Sequence, residues 1–164
     1  ITRCTNNYGP YQYPEKLIPF FTIRALKDEY LPLYGDGRQV RNWVHVDDHC
    51  AAVEKVLAAG EPGSVYHIAG KDELPNIKIA HAILKALDKP ASLLQRVTDR
   101  PAHDRRYALD ASKTVRQLGW RPSRDFDSGL QGTVRWYLEH RSWWEDVLKG
   151  EHLGYFERIY GRRL

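Results

Sequence analysis

Three groups of side chains in this 164-residue chain are of types that could do chemistry. The first is Asn6-Asn7, set in a Gly/Pro-punctuated stretch (Tyr8-Gly9-Pro10) directly after a short apolar segment, residues 1–4. In open α/β sheets ligands sit in the crevice outside the carboxyl ends of strands, so two adjacent carboxamides there are expected to aim donors and acceptors at one spot. The second is Asp99-Arg100-Pro101-Ala102-His103-Asp104-Arg105-Arg106-Tyr107. A guanidinium is planar and forked, which suits bidentate capture of phosphate oxygens. The same residues also suit a solvated loop with internal Asp–Arg pairs, the simpler reading on composition alone. The third is His45-Val46-Asp47-Asp48-His49. Its residue types are those of metal ligands, but a strand feeding a helix spaces them poorly for a tetrahedral site. Two aspartates also favour a helix N-terminus electrostatically, so no metal is expected.

Other machinery is missing from the sequence. There is no G-x-G-x-x-G turn, no G-x-x-x-x-G-K-[ST] loop and no G-x-S-x-G elbow. No tyrosine is followed four positions on by a lysine. No catalytic residue is therefore assigned.

The elements that must position these groups follow from periodicity. Strands are expected over 1–4, 31–34, 40–46, 65–68 and 93–97. Residues 5–14 read as loop, and Gly35-Asp36-Gly37 as a turn. Helices are expected over 15–28, from Asp47 or Asp48 to 59, 76–87, 110–118, and as one long amphipathic span from Asp127 or Ser128 to 148. Alternation of strands and helices makes the class α/β. The strands are few and scattered, the chain opens in mid-element, and it holds no methionine. The expectation is a site whose other half lies outside the chain. A net charge of +4 without a lysine run argues against nucleic acid as partner and fits an anionic small ligand. No apolar run approaches the ~20 residues of a membrane span. Cys4 and Cys50 are expected to be reduced, buried thiols of a cytoplasmic protein. Tyr34 and Trp43 read as half-buried strand aromatics.

Taken together, Arg3-Cys4-Thr5-Asn6-Asn7-Tyr8-Gly9-Pro10-Tyr11, Pro14-Glu15-Lys16-Leu17-Ile18-Pro19, Leu31 to Gly37, Val40-Arg41-Asn42-Trp43, Asp99 to Tyr107 and Leu118-Gly119-Trp120 resemble the C-terminal half of the dTDP-glucose 4,6-dehydratase family. These are extended short-chain dehydrogenase/reductases of Rossmann type. The resemblance runs from end to end. It implies that residues 1–164 are a substrate-binding C-terminal portion with an incomplete parallel sheet and a small substrate domain, and that the NAD-binding Rossmann portion is absent. It further implies NAD as cofactor, a dTDP-sugar as substrate, a homodimer in the complete enzyme, no membrane partner, and no activity for the chain alone.

By position, the resemblance assigns Asn7 to the nicotinamide side of NAD and Asn6 to the sugar nucleotide. Lys16 and Leu17 would line the nucleotide channel. Pro32, Leu33 and Tyr34 would hold the thymine, and Arg41 and Arg100 the diphosphate. Asn76 and the loop Asp99, Arg100, Pro101, Ala102 and His103 would close over the nucleotide, and Tyr160 would reach back to it. Ala102 stands where the family usually has Gly. The alternatives are another sugar-nucleotide epimerase, decarboxylase or dehydratase of the same fold, and a non-catalytic nucleotide-sugar-binding module.

Overall fold

The computed structural model describes residues 1–149. Its strands are β1 (Thr2–Cys4), β2 (Asn6–Tyr8), β3 (Leu31–Tyr34), β4 (Val40–His45), β5 (Tyr66–Ile68), β6 (Asp72–Pro75), β7 (Leu94–Val97) and β8 (Arg106–Tyr107). Its α-helices are α1 (Leu17–Leu26), α2 (Val46–Ala59), α3 (Asn76–Ala86), α4 (Ser112–Leu118), α5 (Phe126–Glu139) and α6 (Arg141–Lys149). The α/β class holds. The strands form two parallel pairs, β1–β5 and β3–β7, and a four-stranded sheet centred on β4. There β2 runs parallel to the second half of β4, β8 parallel to its first two residues, and β6 antiparallel to it.

Residues 6–8 are therefore strand rather than loop. Their backbone groups pair with Trp43 to His45, a long-range partner that local turn residues do not reveal. The same holds for β6 and β8, both held by β4. The 127–148 span is broken at His140, whose backbone (φ −112°, ψ 47°) leaves the helical region. No Gly or Pro marks that break. What fixes it is packing: Trp144 is buried beside Tyr137 and donates its indole N–H to the Tyr137 carbonyl at 2.8 Å. Residues 2 and 3 are exposed rather than buried, and so is Cys50. Neither matches the expected burial, because position within an apolar run does not say which face is covered.

The largest core gathers α1, α3 and α5 over β3 and β4, with Tyr8, Phe21, Leu33, Trp43, Ile83 and Leu130 among its members. Gly129 lets α5 lie against Tyr8; a Cβ there would sit 2.4 Å from the Tyr8 hydroxyl. Among the described residues no helix is long and apolar enough to cross a membrane.

The His45 to His49 cluster is structural. His45, not an aspartate, caps α2, its Nδ1 accepting from the Asp47 N–H at 3.2 Å. Burial lowers the His45 pKa, which keeps the ring neutral and able to accept. Asp48 is buried and clamps the segment after α4. It accepts from the Ser123 N–H, the Ser123 hydroxyl and the Arg124 N–H at 3.0, 2.7 and 3.0 Å. Burial alone would raise its pKa, but these hydrogen bonds outweigh it and the net direction is down. A lowered folded-state pKa means the stabilisation is complete above the unfolded value near ~3.9 and is lost as pH falls through the folded value. Asp48→Ala is expected to cost about 2–3 kcal/mol at pH 7. In urea unfolding the gap from the parent should narrow at pH 3; a gap independent of pH would refute the clamp.

Candidate functional site

Segments distant in sequence meet at one cavity of about 310 Å³. Its floor comes from β4. Successive strand residues face opposite sides, and here Arg41 and Trp43 line the cavity while Asn42 and Val44 face away. Val44 packs with Ala52, Ile68 and Trp120. The Asn42 carboxamide is an internal lock: Oδ1 accepts from the Thr5 hydroxyl and the Gly70 N–H, both at 2.8 Å, and Nδ2 donates to the Gly70 carbonyl at 3.0 Å. Gly70 lies so close to β4 that a Cβ would fall 1.7 Å from the Trp43 carbonyl oxygen.

Arg41 is 8% exposed. Its Nη1 donates to the carbonyls of Val40 and Asp104 at 2.8 and 3.0 Å, which aims the fork before any ligand arrives. Burial pulls its pKa down; Asp104 opposes this and Arg100 adds to it. Arg100 reaches the same cavity from the loop after β7. Among the described residues neither guanidinium has a carboxylate partner. Lys16, also at the cavity, is paired with Glu15 at 2.5 Å. The site thus carries two guanidiniums without a carboxylate bonded to either among the described residues, an arrangement suited to a dianion.

Contrary to the simpler expectation, the arginines of the 99–107 loop do not pair with its own aspartates: two of them reach carboxylates outside it, and the loop's internal pair is Asp99 with His103. Arg105 forks onto Asp36 at 2.8 and 3.0 Å, drawing the Asp36 pKa down to about 2. Arg106 forks onto Glu73 at 2.6 and 2.8 Å. Only Arg100 of the three arginines is left for the cavity. Asp99 stands behind it, 2.7 Å from His103 Nδ1, while its carboxylate also accepts from the Arg100 N–H and from Gln39 at 2.9 and 2.8 Å. The His103 bond is the main reason the Asp99 pKa is lowered. Gly35 (φ +55°) sits under this carboxylate, where a Cβ would be 2.9 Å from Oδ2. His103 lines the cavity and meets Tyr34 edge-on, ring centroids 6.1 Å apart.

Of the expected site residues, the structure brings together Asn6, Lys16, Leu17, Tyr34, Arg41, Asn76, Arg100 and His103. Pro32 and Leu33 line an adjoining cavity of about 80 Å³, with Phe20 and Phe21 behind them; Leu17, Tyr34 and Asn76 border both spaces. Pro101 and Ala102 are exposed at the loop tip and line neither. Ala102 takes φ +53°, the left-handed region in which Gly is free of strain. Tyr160 lies outside the described residues.

The two carboxamides do not converge. Asn6 and Asn7 are consecutive on a strand, so they face opposite sides. Asn7 is anchored by Nδ2 on Cys4 Sγ and the Thr5 carbonyl, both at 3.2 Å, and its buried Oδ1 has no partner among the described residues.

Two lining residues were not anticipated, Glu15 and Trp43. The signal for Trp43 was its two-residue offset from Arg41 on a strand. For Glu15 there was none. Two buried polar atoms without partners among the described residues belong to lining residues of this cavity, Trp43 Nε1 and Asn76 Oδ1.

The chain is similar to known proteins along most of its length. A family model described as GDP-mannose 4,6 dehydratase matches residues 1–133. A dTDP-glucose 4,6-dehydratase of Streptomyces niveus is 50% identical over 147 residues, 90% of this chain and 44% of the relative. The crystal structure of the Streptomyces venezuelae dTDP-glucose 4,6-dehydratase DesIV, solved with NAD bound, superposes with a TM-score of 0.87 at 53% identity, covering 89% of this chain and 45% of that one. The corresponding enzyme of Bacillus anthracis, in complex with NAD, gives 0.85 at 48% identity, covering 89% and 46%. The chain spans less than half the length of these relatives.

Proposed function

The chain belongs to the GDP-mannose 4,6-dehydratase family, and from that premise we propose that it is the sugar-nucleotide-binding portion of an NAD-dependent dTDP-glucose 4,6-dehydratase, a carbon–oxygen lyase that yields a 4-keto-6-deoxy sugar nucleotide. One observation carries the reading: Arg41 and Arg100, from separate elements and without carboxylate partners among the described residues, share a cavity that continues into a small apolar slot beside Tyr34.

In this reading the diphosphate bridges the two guanidiniums, with Lys16 and Asn76 beside it. The slot walled by Leu17, Phe20, Phe21, Pro32 and Leu33 takes the methyl-bearing edge of a pyrimidine. At about 80 Å³ it suits the edge of a single ring better than a fused purine. Asn6 meets the sugar, and Asp99 and His103 hold the loop closed over the nucleotide. NAD, when bound, supplies the hydride acceptor and donor for oxidation at C4 and reduction at C6 of the hexose, with loss of water across C5 and C6. Asn7 fits that cofactor: its orphaned, rigidly held Oδ1 offers an acceptor to a carboxamide N–H. The residues of this chain bind and orient; none is assigned a proton transfer, and the chain by itself is expected to bind without turnover. The complete enzyme is a cytoplasmic homodimer in the same reading.

Calorimetric titration of the chain with dTDP-glucose, UDP-glucose and GDP-mannose tests it. Burial of one methyl group predicts dTDP-glucose tighter than UDP-glucose by about fourfold, with GDP-mannose weakest. Preference for GDP-mannose, or binding of none of the three, would overturn the reading.

A further inference from the structure

Trp43 lines the cavity and carries a buried donor that nothing in the chain's described residues explains. It is 4% exposed, it lines the cavity beside Asn6, and its indole N–H is buried with no acceptor among the described residues. Buried polar groups are nearly always satisfied, so an orphan calls for a partner not present in the chain. Its position along the site follows from the topology. The small apolar slot is bordered by Leu17, Tyr34 and Asn76 but by none of Asn6, Arg41 or Trp43. A ligand with its base in that slot and its diphosphate on Arg41 must continue past Arg41. Trp43 lies two residues further along β4, about 6.6 Å. It is the register partner of Asn6 on β2, and paired residues of adjacent strands present side chains to the same face. Whatever the diphosphate carries therefore comes to rest over an indole ring and a carboxamide.

We infer that Trp43 is a specificity-determining residue for the glycosyl end of the ligand: its ring forms the floor under the hexose, and its N–H donates to a hexose hydroxyl or ring oxygen. The inference rests on the nucleotide-sugar reading above. It adds a contact that the diphosphate and base do not make, so the two can fail separately. The ring itself packs against Tyr8 and Phe126, with centroids at 6.4 and 6.3 Å, which restricts its rotation.

Trp43→Phe keeps an aromatic floor and deletes the donor. Calorimetry with dTDP and with dTDP-glucose should show affinity for dTDP-glucose reduced three- to tenfold, the range for one hydrogen bond, and affinity for dTDP changed by less than about twofold. Equal losses for both ligands, or no loss for either, would overturn the inference. A parent chain that binds neither ligand would instead overturn the nucleotide-sugar reading. The variant alters a core residue and could fail to fold. The parent protein therefore provides an independent test: the assigned Trp43 indole N–H resonance in a nitrogen–proton correlation spectrum. It should shift on adding dTDP-glucose and stay within line-width on adding dTDP. A shift of equal size with dTDP alone refutes the placement.

Discussion

Replacing Arg41 by alanine is expected to weaken dTDP binding on the order of 100-fold, and replacing Arg100 by alanine about tenfold. Both guanidiniums line one cavity, but they are not equivalent. Arg41 is 8% exposed and is oriented by the Val40 and Asp104 carbonyls. Its charge–charge contact with a phosphate would be made in a partly dehydrated setting, at little ordering cost. Charge-assisted hydrogen bonds are roughly twice as strong as neutral ones, and a bidentate fork makes two of them. Arg100 sits on an exposed loop, where water competes and the side chain must be ordered on binding. Arg41→Lys should recover only part of the loss, since an ammonium is a point donor without the fork. Titration calorimetry with dTDP measures each step, and circular dichroism checks that the fold is kept. A folded Arg41→Ala protein that binds dTDP as tightly as the parent would remove the basis of the proposed function.

The largest effect on stability is expected at Gly70. Its Cα faces the β4 backbone so closely that an alanine Cβ would lie 1.7 Å from the Trp43 carbonyl oxygen and 2.6 Å from the carbonyl carbon. The obstacle is main chain in the central strand, so no rotamer change relieves it. Either β4 or the segment after β5 must shift. Both carboxamide bonds from Asn42 to the Gly70 backbone would stretch with it. Overpacking commonly costs 1–3 kcal/mol, more where nothing can yield, so Gly70→Ala should lower unfolding stability by about 3 kcal/mol or more. Gly132 provides the contrast. It lies in α5, and nothing stands within 4 Å of its added Cβ. Gly132→Ala should stabilise by up to about 1 kcal/mol through helix propensity. Urea midpoints of the two variants should move in opposite directions; a Gly70→Ala midpoint equal to the parent's would show that the close approach is not rigid. Because Arg41 shares that strand, any folded Gly70→Ala protein should also bind dTDP more weakly.

Much of the fold was legible because it is local. The Leu31 to Tyr34 strand, the Gly35–Gly37 turn, the α3 start at Asn76 and the α4 stop at Gly119 follow from periodicity, positive-φ glycines and breakers within a few residues. The α/β class follows from their alternation. The elements missed are those whose cause is distant. The strand at Asn6 to Tyr8 exists because Trp43 to His45 pair with it, and β8 exists because Val40 and Arg41 do. A two- or three-residue strand has no periodicity of its own.

The residues able to hold an anion and a pyrimidine were decided by the sequence: residue types fix which groups are forked, charged or flat, and strand period fixes that Arg41 and Trp43 share a side. Which of those groups cooperate was decided by tertiary structure alone. Arg105 and Arg106 are spent on Asp36 and Glu73 while Arg100 stays available, and Asn6 parts from Asn7 because they lie on a strand rather than a loop. Ion pairing and burial depend on distances between residues up to about a hundred positions apart in the chain, and those distances exist only once the sheet has formed.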